Sequence, residues 1–263
     1  RVEDIDSLNI LNYLYFYNGS GLAAGDLNND GLIDLIFGSN QENDRIYFND
    51  GNLNFRDVTK QTGIDTVADW TTGISLIDIN NDGWLDIYIC KVGNFLKLQS
   101  SNKLYINNHD GTFTEMSQQY GLNFKGFSTH AGFFDFDRDG DLDCYLLNHS
   151  VKNTDVFVKS SIRNNNDTLA GDRLLRNDDG IFRDVSQSAG IYTSSVGFGL
   201  GLSIGDLNND GWEDIYIAND FHEHDYIYIN QKDGTFTEVG QSAVGHFSNF
   251  SMGTAISDIN DDG

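Results

Sequence analysis

The nonapeptide Asp26-Leu-Asn-Asn-Asp-Gly-Leu-Ile-Asp34 recurs along the chain and constrains the fold more than any other feature. Further copies begin at Asp78, Asp135 and Asp206, and a fifth starts at Asp258 and runs to Gly263. Each reads D-x-[DN]-x-D-G-x-x-D as far as it goes. Oxygen side chains at positions 1, 3, 5 and 9, with a main-chain carbonyl at 7, suit a hard cation, and the Gly at 6 allows a sharp turn. The motif contains no Cys or His, so zinc and copper are poor occupants and calcium is the expected one. The expected ligands are Asp26, Asn28, Asp30, Leu32 and Asp34 in the first loop, and Asp78, Asn80, Asp82, Trp84 and Asp86 in the second. The third offers Asp135, Asp137, Asp139, Asp141 and Asp143, the fourth Asp206, Asn208, Asp210, Trp212 and Asp214, and the truncated fifth Asp258, Asn260 and Asp262. A single copy would read equally well as an Asx-Gly turn. Four full copies with the same carboxylate positions argue for a metal.

An EF-hand loop begins in the same way, but it requires a bidentate Glu at position 12 and a helix on either side. Here position 12 is Phe37, Ile89, Leu146 or Ile217, and the flanks are β-branched and aromatic runs such as Ile87-Tyr-Ile and Ile215-Tyr-Ile. Each loop is therefore expected to join two strands. Two more runs follow in every repeat, for example Arg45-Ile-Tyr-Phe-Asn and Phe55-Arg-Asp-Val, separated by Asp50-Gly51, Asp110-Gly111, Asp179-Gly180 or Asp233-Gly234. These pairs predict a hairpin. The fold class is thus all-β: four-stranded antiparallel sheets recurring every 52 to 71 residues, the period of a β-propeller blade. Expected blades span about 18–66, 67–124, 125–194 and 195–247, with 248–263 the start of a fifth and 1–17 a lead-in packed beside the first repeat. On this reading the chain is a piece of a longer propeller.

Net charge is −24 over 263 residues, much of it in the loops, which argues against nucleic acid and anionic membrane surfaces as partners. No apolar run approaches the roughly 20 residues of a membrane span. Cys90 and Cys144 make no disulfide framework and are expected in the core. Sequons occur at Asn18, Asn148, Asn166 and Asn249.

The repeats can also be compared with one another. Five residues before the loop Asp stand Gly21, Gly73, His130, Gly201 and Gly253, so His130 breaks a glycine pattern on a strand expected to line the channel. In a four-stranded meander the first-to-second and third-to-fourth connections share one end, which places His109 on the calcium side. His130, His149, Asp220, Phe221, His222, Glu223, His224, Asp225 and His246 then fall toward the other end. They are the candidate ligand face, with Phe221 and His222 as foremost contacts. The long connection from Asn148 to Asp172 joins the same end.

These repeats resemble the FG-GAP-like (VCBS) family, which includes the propellers of integrin α subunits. The stretch from Gly199 to Asn230, together with Ala170-Gly-Asp-Arg-Leu-Leu-Arg-Asn177, is similar to the ASPIC/UnbV group of bacterial relatives of cartilage acidic protein. The resemblance implies a seven-bladed, secreted or surface-exposed propeller with calcium in several loops. A binding or adhesion scaffold for a glycan or protein surface is the expected function. The alternative is a polysaccharide lyase-like enzyme with a His/Asp site opposite the calcium loops. No nucleophile elbow, HExxH, P-loop or dinucleotide fingerprint occurs.

Overall fold

Short apolar runs punctuated by Asp-Gly and Asn-Asp-Gly turns leave the chain little choice but to run out and back on itself. The computed structural model describes residues 3–5, 8–64, 69–151, 162–221 and 223–260. The first repeat forms β1 (Leu22–Gly25), β2 (Asp34–Phe37), β3 (Arg45–Asn49) and β4 (Phe55–Asp57). The second forms β5 (Thr71–Ile77), β6 (Asp86–Lys91), β7 (Lys103–Asn107) and β8 (Phe113–Glu115), followed by the single-turn helix α1 (Ser117–Tyr120). The third gives β9 (Ser128–Phe134), β10 (Asp143–Asn148), β11 (Arg173–Asp178) and β12 (Ile181–Asp184). The fourth gives β13 (Gly199–Gly205), β14 (Asp214–Asn219), β15 (Tyr226–Asn230) and β16 (Phe236–Glu238), then α2 (Gly240–Ala243). Each repeat is one four-stranded sheet whose spatial order follows the chain, and the described pairings are antiparallel. These are propeller blades, and the fold is all-β.

The chain divides into two compact units, 1–128 and 129–263, each holding two blades. In the first, Ile36, Ile46, Ile74, Ile87, Ile89 and Tyr105 form a shared core between the two sheets. In the second, Tyr145, Leu147, Leu174, Ile215, Ile217 and Tyr228 do the same. β6 and β10 are buried along their whole length, their four central residues apolar or aromatic and their polar ends enclosed as well. Cys90 and Cys144 lie in these strands as buried free thiols.

Neighbouring blades within a unit meet along their first strands. In the first unit a Cβ on Gly21 would stand 2.6 Å from the Ile74 nitrogen, and past the fourth blade, where no strand follows among the described residues, one on Gly201 would stand 2.9 Å from Gly253 Cα. Main chain touches main chain there, and only glycine fits.

The structure refines two expectations and closes one sequon. The lead-in touches the first repeat, where Glu3 and Gln41 exchange hydrogen bonds, and the second as well: the rings of Tyr13 and Phe16 lie 5.5 and 5.3 Å from that of Trp70, and Tyr13 also meets Phe95. Large aromatics seek the largest apolar surface available, and Trp70 supplies it. Residues 251–257, in the place of a fifth blade's first strand, form no strand. Asn148 is 1% exposed and donates its amide to the Gly171 carbonyl at 2.7 Å, so its sequon is closed to modification in the folded state.

Candidate functional site

Each acidic loop connects the first two strands of its blade and is built by its own side chains. The position-1 carboxylate takes the N–H groups of positions 5 and 6: Asp26 accepts from Asp30 and Gly31 at 3.1 and 2.7 Å, and Asp78 from Asp82 and Gly83 at 2.9 and 2.8 Å. Asp135 and Asp206 repeat the arrangement. The position-5 carboxylate in turn accepts from the N–H of position 7 at 2.9 to 3.2 Å. Position 4 has positive φ in the four complete loops (Asn29, Asn81, Arg138 and Asn209), as does the glycine at position 6. The main chain of each complete loop thereby wraps around its position-1 carboxylate.

Position 9 does more than the sequence reading assigned to it. Asp34, Asp86, Asp143 and Asp214 are fully buried. One oxygen accepts from the position-2 N–H, at 2.9 Å in the first loop and 3.2 Å in the second. The other accepts from the N–H of the Asn that ends the third strand: Asn49, Asn107, Asn177 or Asn230, at 2.8 to 2.9 Å. That Asn was visible in the repeat, yet nothing in the sequence gave it a role. Its side-chain oxygen accepts an N–H of the following hairpin turn, and its amide reaches carbonyls of the acidic loops. Position 9 therefore ties loop to hairpin through the protein's own hydrogen bonds.

The third loop is set apart by its chemistry. One carboxylate oxygen each from Asp135, Asp137 and Asp143 lies within 4.8 Å of the others. Oδ1 of Asp137 and Oδ1 of Asp141 are shut off from solvent and accept no hydrogen bond. Burial, followed by neighbouring carboxylates, pushes Asp141 up to about 6. Burial, opposed by two N–H donors, leaves Asp143 at about 7. Hard oxygen donors that crowd together and lack partners fit a calcium ion, which Asp135, Asp137, Asp139 and Asp143 would hold from their side chains. In the second loop burial also raises Asp86, to about 6. For Asp82 burial acts upward, but hydrogen bonds from His109, the Trp84 N–H and Asn80 prevail and hold it low. Asp258 and Asn260 are exposed, and Asp262 lies outside the described residues.

At the other end of the sheets the candidate ligand residues mostly turn inward. Glu223 (9% exposed) accepts from Arg163 Nε at 2.6 Å and the Tyr226 hydroxyl at 2.8 Å. His224 lies 3.3 Å from Arg163 and places its Nε2 3.8 Å from Glu238, with no hydrogen-bond partner. Asp225 receives the Asn219 N–H, the Tyr216 hydroxyl and the Ser251 hydroxyl at 2.8 to 2.9 Å. His149 is buried beside Thr129, and Asp220 is buried beside the Phe221 N–H. Phe221 packs edge-on against Phe198 and Phe250. Half-buried His130 and exposed His246 stand apart from this network among the described residues, and His222 lies outside them. On the other side of the second blade, His109 joins the acidic loop as expected, stacked on Trp84 and 3.0 Å from Asp82.

Two features at this end escaped the sequence reading. The residue before each third strand is a bracket: Asp44, Asn102, Asp172 and Asp225 each accept the N–H of a residue at or just past the end of the second strand, at 2.8 to 2.9 Å. An acid or amide directly before the third strand was the available signal, obscured by connections of unequal length. Buried Lys91 lies against two of these brackets, bonded to Asp44, Asp69 and Thr71. The second feature is a pair of matching pockets. One, of about 300 Å³, is lined by Asn43, Arg45, Asp57, Thr59, Lys60 and Gln61. The other, of about 450 Å³, is lined by Asn166, Arg173, Asp184, Val185, Gln187 and Ser188. Each contains an Arg–Asp pair at 3.0 Å, at the end of its sheet away from the acidic loop.

Fold and loops together define a repeat protein of propeller blades, each blade carrying one acidic loop between its first two strands. The chain belongs to the FG-GAP-like repeat family, whose pattern it matches over residues 26–89, 95–146 and 206–263. It is 28% identical over 136 residues to cartilage acidic protein 1 of Mus musculus, a match covering 49% of this chain and 20% of that protein. Among solved structures it is similar to an Agrocybe aegerita lectin that recognises non-reducing terminal N-acetylglucosamine (TM-score 0.42, 18% identity, 81% of this chain and 49% of that one). It is also similar to the rhamnogalacturonan lyase YesW (TM-score 0.39, 14% identity, 84% and 42%). Family membership rests on the repeats themselves. Among the described residues no helix is long and apolar enough to cross a membrane.

Proposed function

We propose that the chain is a calcium-stabilised scaffold that works outside the cell and binds glycans at the ends of its sheets opposite the acidic loops. The observation that carries this reading is the pair of buried, unpartnered carboxylate oxygens in the third loop, Asp137 Oδ1 and Asp141 Oδ1. Enclosed acids of like charge are tolerated when a cation neutralises them. Extracellular-type sites of roughly 10⁻⁴ to 10⁻³ M would suffice for that purpose. The two matching pockets supply the binding side of the proposal. Their Arg, Asp, Asn and Gln side chains alternate donors and acceptors in the manner that neighbouring hydroxyls require. Binding is favoured over sugar cleavage because Glu223 and Asp225, the nearest acid–base candidates, are already committed to internal donors.

A glycan array probed with the calcium-loaded chain tests this. Capture of a neutral glycan is expected, with loss on combining Arg45→Ala and Gln187→Ala, both at exposed positions that leave the core intact. Capture unchanged in that double variant would remove the proposed pockets.

A further inference from the structure

The acidic loops differ in how far the protein already satisfies them from within. In the first, second and fourth, position 3 is Asn, and its amide donates to the outer oxygen of the position-5 Asp at 3.0, 2.8 and 3.0 Å. The same Asn accepts the position-5 N–H through its own oxygen. Two of these loops receive a further donor from their β-hairpin: His109 reaches Asp82 Oδ2 in the second, and Lys232 Nζ stands 3.3 Å from Asp210 Oδ2 in the fourth. An incoming cation must turn the Asn amide away in all three loops. It must also displace the imidazole in the second and a full positive charge in the fourth.

The third loop has no such donors among the described residues. Asp137 stands in place of the Asn, and Asp141 adds a fifth carboxylate. The cations closest to it are engaged elsewhere: Arg176 with Asp178 at 2.8 Å, and Arg138 over the Trp212 ring at 4.3 Å. Calcium affinity rises with the charge of the ligand set and with how little the site must rearrange. Both factors place the third loop first; the other three carry equal ligand charge, and the donors that must be displaced, Lys232 above all, place the fourth last.

Building on the calcium reading above, we propose that the sites fill in a fixed order, with the third loop first and tightest and the fourth last, held back by Lys232 acting as a tethered cation. Isothermal titration of calcium into the chelator-stripped chain tests this. One ion is expected to bind at least on the order of tenfold more tightly than the rest. Asp137→Asn should remove that tight class and leave the total number of ions unchanged. Asn28→Asp, on the solvent side of the first loop, should create a second tight class, so the proposal stays testable even if the Asp137 variant fails to fold. Lys232→Met should strengthen the weakest class. Equal affinities throughout, or a tight class that survives Asp137→Asn, would overturn the order while leaving calcium binding intact. No binding at all would instead remove the calcium reading itself.

Discussion

Asp172 is buried in the connection leading into β11, where its carboxylate takes the Tyr145 hydroxyl at 2.9 Å and the Asn148 N–H at 2.8 Å. Burial pushes it up to about 7, the two donors and Arg173 opposing only in part. The unfolded chain would release this proton near pH 3.9. Between the two values the folded state holds the proton and the unfolded state does not, so this residue's contribution to stability falls as pH rises from about 4 to about 7, then levels off. Asp172→Asn keeps an acceptor for Asn148 and carries no charge. It should flatten the profile and make the variant more stable than the parent at pH 8, by a few kcal/mol at most, since one pKa unit corresponds to about 1.4 kcal/mol. Urea unfolding at pH 5.5 and pH 8, both in calcium, measures it. Parallel profiles for the two proteins would contradict the assignment.

Within a blade, loop and hairpin are joined by position 9, and this separates two kinds of acidic residue that look alike in the sequence. Asp86→Ala strands the buried N–H groups of Ile79 and Asn107, each costing about 1–3 kcal/mol, so it should destabilise the chain in chelator as well as in calcium. Asp82→Ala gives up exposed bonds to His109, Asn80 and the Trp84 N–H, so its cost in chelator should be smaller than that of Asp86→Ala and should grow in calcium. Urea midpoints for both variants in both conditions decide the point. An Asp86→Ala variant indistinguishable from the parent in chelator would mean that the clamp is of no consequence. The four strands, their order, the turns and the acidic loops were legible in the sequence because period-two apolar runs and Asp-Gly pairs are local signals. The brackets at Asp44, Asn102, Asp172 and Asp225 were not, because they act across connections of different length and alternate between acid and amide. Nor was the inward turn of Glu223, Asp225 and His149 legible. Polar residues in a loop read as exposed until the partners that claim them, here Arg163, Asn219 and Thr129, are brought alongside by the fold.

Across the whole chain the acidic loops concentrate negative charge at one end of each sheet, so folding and metal content are expected to be linked. Saturating calcium should raise the melting temperature and chelation should lower it. A site filled at a hundredfold its dissociation constant contributes about 2.7 kcal/mol. Magnesium should rescue poorly, because it gives up its waters reluctantly. A melting curve unmoved by chelator after exhaustive dialysis would refute the linkage. A last consequence follows from the hairpin asparagines. Asn107 donates to the carbonyl of Leu27 in the preceding blade, and Asn230 donates to that of Phe136 in the blade before it, each the second residue of an acidic loop. The neighbour is recognised through its main chain, which every repeat offers regardless of the side chain it carries there. A duplicated or transplanted repeat would therefore find its handhold without any matching substitution next door. Arrays of such blades can lengthen by copying, and each copy can drift in its loops while remaining docked.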